Sequence, residues 1–151
     1  MGAALYIRTA KADDLPALTA LYQHLSPEDP PCPPALAAEN FAQFQTYGPS
    51  AIFVGCDDDR LLCSCTLVVI PNLTRGGRPY ALIENVVTHN GYRNQGFGKK
   101  ILDAACVHAW AQNCYKVMLM TGSKRPSTLK FYESAGFAQN KTGFQKRAPG
   151  F

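Results

Sequence analysis

The segment Arg93-Asn94-Gln95-Gly96-Phe97-Gly98-Lys99-Lys100 gathers cations and glycines at one point of the chain. Before it runs an apolar, β-branched stretch, Ala81-Leu82-Ile83-Glu84-Asn85-Val86-Val87, that reads as a strand. After it, Phe97, Ile101, Leu102, Ala105 and Ala109 recur at helical spacing. Glycine at a strand-to-helix junction lets the backbone approach a ligand closely. The first N–H groups of a helix have no partner within it, and the helix dipole turns its positive end to the same spot. The chemistry such a junction serves is phosphate binding. It is not a Walker loop, because Lys99 is followed by Lys100 rather than Ser or Thr, and it lacks the G-x-G-x-x-G order of a dinucleotide site. Within the preceding strand, Glu84 sets a carboxylate among apolar residues, costly to bury without a purpose or a partner.

The pattern Arg93-x-x-Gly96-x-Gly98 resembles the cofactor loop of the GNAT superfamily, the acyl-CoA-dependent N-acetyltransferases, whose form is Arg/Gln-x-x-Gly-x-Gly/Ala. Downstream, Phe131-Tyr132-Glu133-Ser134-Ala135-Gly136-Phe137 resembles a second signature of that family, at the expected separation. The resemblance runs from about Ala51 onward and reaches the first third only through length and element order. It implies an enzyme with acetyl-CoA as acyl donor and a primary amine, on a small molecule or a peptide, as acceptor. It also implies cofactor contacts from Val86, Val87 and Thr88 on the strand, from Arg93, Asn94, Gln95, Gly96, Phe97, Gly98 and Lys99 in the loop, and from Ser127. Many members carry Asn seven residues before the signature Tyr; here Arg125 stands there, so Arg125 or Ser127 takes over that contact.

Acetyl transfer needs a neutral amine and an acid for the leaving thiolate. A lysine-like amine is neutral in only about one molecule in 2,500 at pH 7, or ~4.6 kcal/mol to recover by desolvation or a general base. In similar proteins an acidic residue on the central strand, often acting through water, takes the amine proton, which makes Glu84 the candidate base. The other reading is a Glu that pairs with a basic neighbour and only shapes the pocket. Tyr132, in the position that commonly donates to the thiolate, is the candidate acid; otherwise it packs at i, i+3 against Leu129. Simple alternation puts Glu84, Val86 and Thr88 on one face of the strand and Asn85 and Val87 on the other. Backbone N–H groups there would stabilise charge building on the thioester carbonyl.

The elements that must position these residues follow in order. Leu5–Thr9 reads as a first strand, and Asp13 or Asp14 can cap a helix carrying Leu15, Leu18, Leu21, Tyr22 and Leu25. Five prolines between Ser26 and Pro34 make a stiff loop. A second helix is expected over Ala35–Tyr47, then strands over Ala51–Cys56 and Leu61–Ile70 joined by the turn Asp57-Asp58-Asp59-Arg60. That acidic turn lacks EF-hand ligand spacing, and no metal site is expected. The central strand covers Tyr80–Thr88, the long helix ends near Asn113, and Tyr115–Met120 is a further strand. A helix over Pro126–Ala135 stops at Gly136, and Phe137 and Thr142–Arg147 supply closing strands. The result is an α/β chain of order β-α-α-β-β-β-α-β-α-β-β, a GNAT-like fold whose central sheet is mixed, mostly antiparallel and flanked by helices, in a single N-acetyltransferase domain over residues 1–151.

At 151 residues the chain suits one domain burying roughly 70% of its unfolded surface. Its net charge of +4 is uneven: residues 1–90 carry −4 and residues 91–151 carry +8. The lysines of the basic half are dispersed, with no groove-reading motif, so a polyanionic cofactor explains the bias and no nucleic-acid partner is expected. Six cysteines show no C-x-x-C pair and no zinc spacing, and read as reduced thiols in a cytoplasmic protein. An acyl-Cys enzyme would need a base partner, and none is identifiable. Asp13 and Asp14 interrupt any leader-like apolar run, no stretch is long enough to span a membrane, and Tyr6 stands where myristoylation needs Ser or Thr. A homodimer is left open; the alternative is a non-catalytic acyl-CoA-binding regulatory module, against which the intact Glu84 and Tyr132 count, while the missing Walker residues and stacking-aromatic motif count against a nucleotide- or RNA-binding protein. His24, His89 and His108 have no assigned role.

Overall fold

The computed structural model describes residues 4–151. The chain divides into two compact units, one running to Leu119 and the other from Met120 to Phe151.

The first unit is built on a five-stranded sheet in the order β1 (Tyr6–Thr9), β2 (Ala51–Asp57), β3 (Arg60–Ile70), β4 (Tyr80–Thr88), β5 (Val117–Leu119). Neighbours pair antiparallel except β4 and β5, which are parallel, giving the mixed, mostly antiparallel sheet expected. Helices α1 (Leu15–Tyr22) and α2 (Pro34–Phe44) fill the connection from β1 to β2, and α3 (Phe97–Ala111) the connection from β4 to β5.

Period-two alternation decides which helix each strand face meets. Cys63, Cys65 and Leu67 of β3, with Ala81 and Ile83 of β4, are buried on one face along with Phe97, Ile101, Leu102, Ala105 and Ala109 of α3. The Cys63 and Cys65 thiols donate there to the Phe97 and Ile101 carbonyls, each at 3.8 Å. Gly55 is required on this face, since a Cβ would stand 2.5 Å from Cys63 Sγ. On the other face Leu18 and Leu21 of α1 close over Val54, Cys56, Leu61 and Val87.

Asp14 stands at the N-cap of α1, as expected, but its carboxylate does not cap that helix. It forms a bidentate pair with Arg8 (2.6 and 2.8 Å) and accepts the Lys11 N–H (2.8 Å), fastening β1 to the helix start. The Arg8 hydrogen bond, ahead of opposing desolvation, holds the Asp14 carboxyl below its ordinary value.

The second unit holds α4 (Pro126–Ser134), with Pro at its first turn and Gly136 left-handed (φ +92°) beyond its end. The closing strands expected at Phe137 and Thr142–Arg147 do not form among the described residues. Phe144, the one large apolar residue of Thr142–Arg147, is 93% exposed, so the segment buries nothing that would hold it to a sheet.

Candidate active site

β4 is the strand from which the site is built, and its middle is irregular. Thr66 stands opposite Glu84 and Ser64 opposite Val87, so three steps on β4 match two on β3. The extra residue is a β-bulge at Asn85–Val86, and Asn85 takes a left-handed φ of +52° to make it. Asn tolerates that conformation better than the β-branched residues around it. This corrects the alternation expected for the strand. Because of the inserted residue, Glu84 and Val87 share the α1 face, while Thr88, opposite Cys63, lies on the α3 face.

The pairing of β4 with β5 ends at the same place. Ala81, Leu82 and Ile83 pair with Val117, Met118 and Leu119, and no further β5 partner follows. From Glu84 to Thr88 the backbone therefore leaves its parallel neighbour, and Glu84 and Asn85 are exposed although they sit mid-strand. Ser64, itself fully buried, donates to the Phe53 carbonyl (2.8 Å). Next to it and Thr66 lies the Tyr22 phenol, pushed up by burial against the opposing pull of those two hydroxyls.

Beyond Thr88 the chain makes a short turn over Asn90–Tyr92 and enters α3 through Gly96. Gly96 is the α3 N-cap at φ +79°, and Asn94 before it is also left-handed (φ +61°). A Cβ on Gly96 would meet nothing within 4 Å, so it is the backbone angle that calls for glycine. Gly96 turns the chain so that the N–H groups of Phe97, Gly98 and Lys99 open the helix without intrahelical partners. Arg93, Lys99 and Lys100 surround this positive end; all are exposed, and Lys99 pairs with Asp103 one turn on (2.8 Å). Donors without intrahelical partners, a helix dipole and three cations fit a phosphate-bearing group.

The turn before Gly96 is tied down by histidines. The His24 and His89 rings lie against each other with centroids 4.0 Å apart and planes tilted by 41°. His24 Nδ1 accepts the Asn90 N–H (3.3 Å), and His89 Nδ1 accepts the Gly91 N–H (3.0 Å). Arg93 donates to the His24 carbonyl (3.4 Å), while Arg60 donates to Tyr92 Oη (2.9 Å) and pairs with Asp57. Both imidazoles thus accept a backbone N–H on Nδ1. Burial above all, then His24 and Arg60, lowers the His89 pKa. A histidine lowered in the folded state contributes stability in full above its unfolded pKa near ~6.5, and that contribution is lost as pH falls through the folded value. An NMR titration is expected to place the His89 midpoint below that of a free histidine, and in His24→Ala to move it upward. A midpoint unchanged by His24→Ala would detach the two rings. His108, by contrast, bonds the Pro49 carbonyl (2.7 Å) and packs edge-on to Phe53 (5.5 Å), away from this turn.

Tyr132 and Ser127 lie on α4 in the second unit. Tyr132 is half-buried, its ring 4.9 Å from that of Phe131 and 6.4 Å from that of Phe137, and its carbonyl accepts the Phe137 N–H (3.1 Å). Ser127 is exposed in the first turn. Arg125 is the N-cap residue, its N–H donating to Ser123 Oγ (3.3 Å).

Sequence reasoning missed the bulge, the histidine pair and Tyr22. The one signal for the bulge is an adjacent polar pair, Glu84-Asn85, in an otherwise apolar strand, with Asn the residue suited to a left-handed turn. Among the described residues no group of three or more His, Cys, Asp or Glu side chains is placed to hold a metal, and no helix is long and apolar enough to cross a membrane.

Residues 18–137 match the acetyltransferase (GNAT) family. A glucosamine 6-phosphate N-acetyltransferase of Trypanosoma brucei brucei is 33% identical over 135 residues, covering 88% of each chain. Among solved structures, a putative acetyltransferase from Agrobacterium tumefaciens C58 superposes with a TM-score of 0.90 at 45% identity, over 95% of this chain and 99% of that one. An acetyltransferase of Trypanosoma brucei superposes with a TM-score of 0.85 at 30% identity, over 96% of this chain and all of the other.

Proposed function

As the chain belongs to the GNAT acetyltransferase family and is an N-acetyltransferase, we propose that it moves an acetyl group directly from acetyl-CoA to a primary amine. The observation that carries this reading is the run from Glu84 to Lys99. In one stretch β4 parts from β5, bulges, and passes through a left-handed glycine into the open N-terminus of α3.

Acetyl-CoA, when bound, supplies the acyl group as an activated thioester. The Phe97, Gly98 and Lys99 N–H groups, with Arg93 and the backbone of Asn94 and Gln95, would hold its pyrophosphate; Ser127 is assigned a contact by the family pattern alone. The β4 backbone over Val86–Thr88, free of a β5 partner, directs N–H groups at the acyl carbonyl and stabilises charge that builds there. Glu84, exposed at the opening, takes the proton that the acceptor nitrogen loses, directly or through water. Tyr132 gives its phenolic proton to the departing sulfur. One proton leaves nitrogen and one reaches sulfur, so the exchange balances without a covalent enzyme intermediate. The relative named for glucosamine 6-phosphate puts amino sugars first among the acceptors to try. The six unpaired thiols suit a reducing cytoplasm.

The cysteines have no part in this mechanism. Burial pushes the Cys63 and Cys65 thiols up to about 12, so neither is a nucleophile at neutral pH. Initial-rate kinetics, followed by release of free thiol, are expected to give the intersecting lines of a ternary complex. Parallel lines, with an acetylated cysteine found by mass spectrometry in the absence of amine, would overturn direct transfer.

A further inference from the structure

Asn85 also lines a hollow of about 210 Å³ between the end of α1 and the Pro-rich loop. At ~30 Å³ per water, that is room for roughly seven waters, or one small organic group. The polar side chains around it are Thr19, Tyr22, Gln23, Ser26, Asp29 and Asn85. Thr19 is committed to the Leu15 carbonyl (2.8 Å), and Tyr22 stands against Ser64 and Thr66. The Asp29 N–H donates to the Ser26 carbonyl (3.1 Å), and both residues line the hollow.

The charge balance there is one-sided. No Lys, Arg or His is among the lining residues, and Asp29 is the only acidic residue among them. The hollow also adjoins the C-terminal end of α1, where the helix dipole is negative and favours cations. Both features repel a phosphate or carboxylate. Both welcome hydroxyl donors or an ammonium. The contrast with the α3 N-terminus, where Arg93, Lys99 and Lys100 cluster, separates an anion end of the site from a cation end.

Building on the acetyl-transfer reading, we infer that this hollow receives the non-reacting end of the acceptor, and that this end carries hydroxyl groups or a second ammonium and no anionic group. Asp29 is then a specificity-determining residue, acting on binding and not on the chemical step.

The test uses the full chain with acetyl-CoA and matched acceptor pairs: glucosamine and glucosamine 6-phosphate, ethanolamine and O-phosphoethanolamine, putrescine and 4-aminobutyrate. Thiol release gives kcat and KM for each. In every pair that is turned over, the member without the anion is expected to have a kcat/KM at least about tenfold higher. A tenfold ratio corresponds to about 1.4 kcal/mol. Asp29→Asn, an exposed substitution that leaves the fold intact, should narrow the gap by raising KM for the favoured member at unchanged kcat. Faster turnover of the anionic members, or an Asp29→Asn protein with every KM unchanged, overturns the inference alone. No thiol release from any pair overturns it together with the acceptor reading on which it rests.

Discussion

Tyr132→Phe is expected to slow turnover by ~10²–10⁴-fold, about 2.7–5.4 kcal/mol in the barrier, which is the range of a positioned general acid. Affinity for acetyl-CoA should hardly change. The ring keeps its contacts with Phe131 and Phe137, and the main-chain bond from the Phe137 N–H does not depend on the side chain. What the substitution removes is a hydroxyl whose ordinary pKa of ~10 suits a thiolate leaving group. Burst or single-turnover measurements must first show that chemistry limits the rate. A loss smaller than about threefold under those conditions would make Tyr132 a packing residue. The thiolate would then draw its proton from water.

Gly96→Val should raise the acetyl-CoA Kd by roughly 10–100-fold, equivalent to losing one charge-assisted hydrogen bond of about 1.5–3 kcal/mol. A left-handed angle costs an ordinary L-residue about 1–2 kcal/mol, and a β-branched one is an outlier there. Valine leaves the junction two choices. It can keep φ near +79°, under strain, with a branched side chain beside the open N–H groups. Otherwise it rotates to an ordinary angle and turns those groups away from the ligand. Because a Cβ at Gly96 meets no atom within 4 Å, the core is untouched and the variant stays folded. Calorimetric titration reads the result directly. An unaltered Kd would move the pyrophosphate away from the start of α3.

How far the sequence discloses this arrangement depends on the range of the interaction. The limits of β4, Tyr80–Thr88, follow from its β-branched run, and the glycine junction follows from spacing alone, since both are local. The argument that Glu84 would be costly to bury does not apply, because the strand opens there and leaves the carboxylate exposed. The bulge was illegible for a physical reason. One inserted residue leaves hydrophobicity almost unaltered and shows only against the partner strand, where Thr66 and Ser64 fix the count. His24 and His89 meet across 64 intervening residues, and no local pattern carries such a contact. The closing strands at Phe137 and Thr142–Arg147 were over-read: Phe144 is 93% exposed, and the segment has nothing to bury.

The bulge in β4 bears on how this gene could drift. Most single substitutions at Asn85 or Val86 keep the residue count between Ile83 and Val87, and with it the faces of their neighbours. A one-codon deletion there removes the residue in excess and leaves two steps on β4 against two on β3, so that Glu84 stays opposite Thr66 and Val87 opposite Ser64. Ile83 and Val87 keep their opposite faces, and the packing on both sides of the sheet is undisturbed. What the deletion abolishes is the left-handed turn at Asn85 and the bend that comes with it. The extra codon is therefore one the core can spare, and pressure to keep it acts through the opening in the sheet and not through the packing.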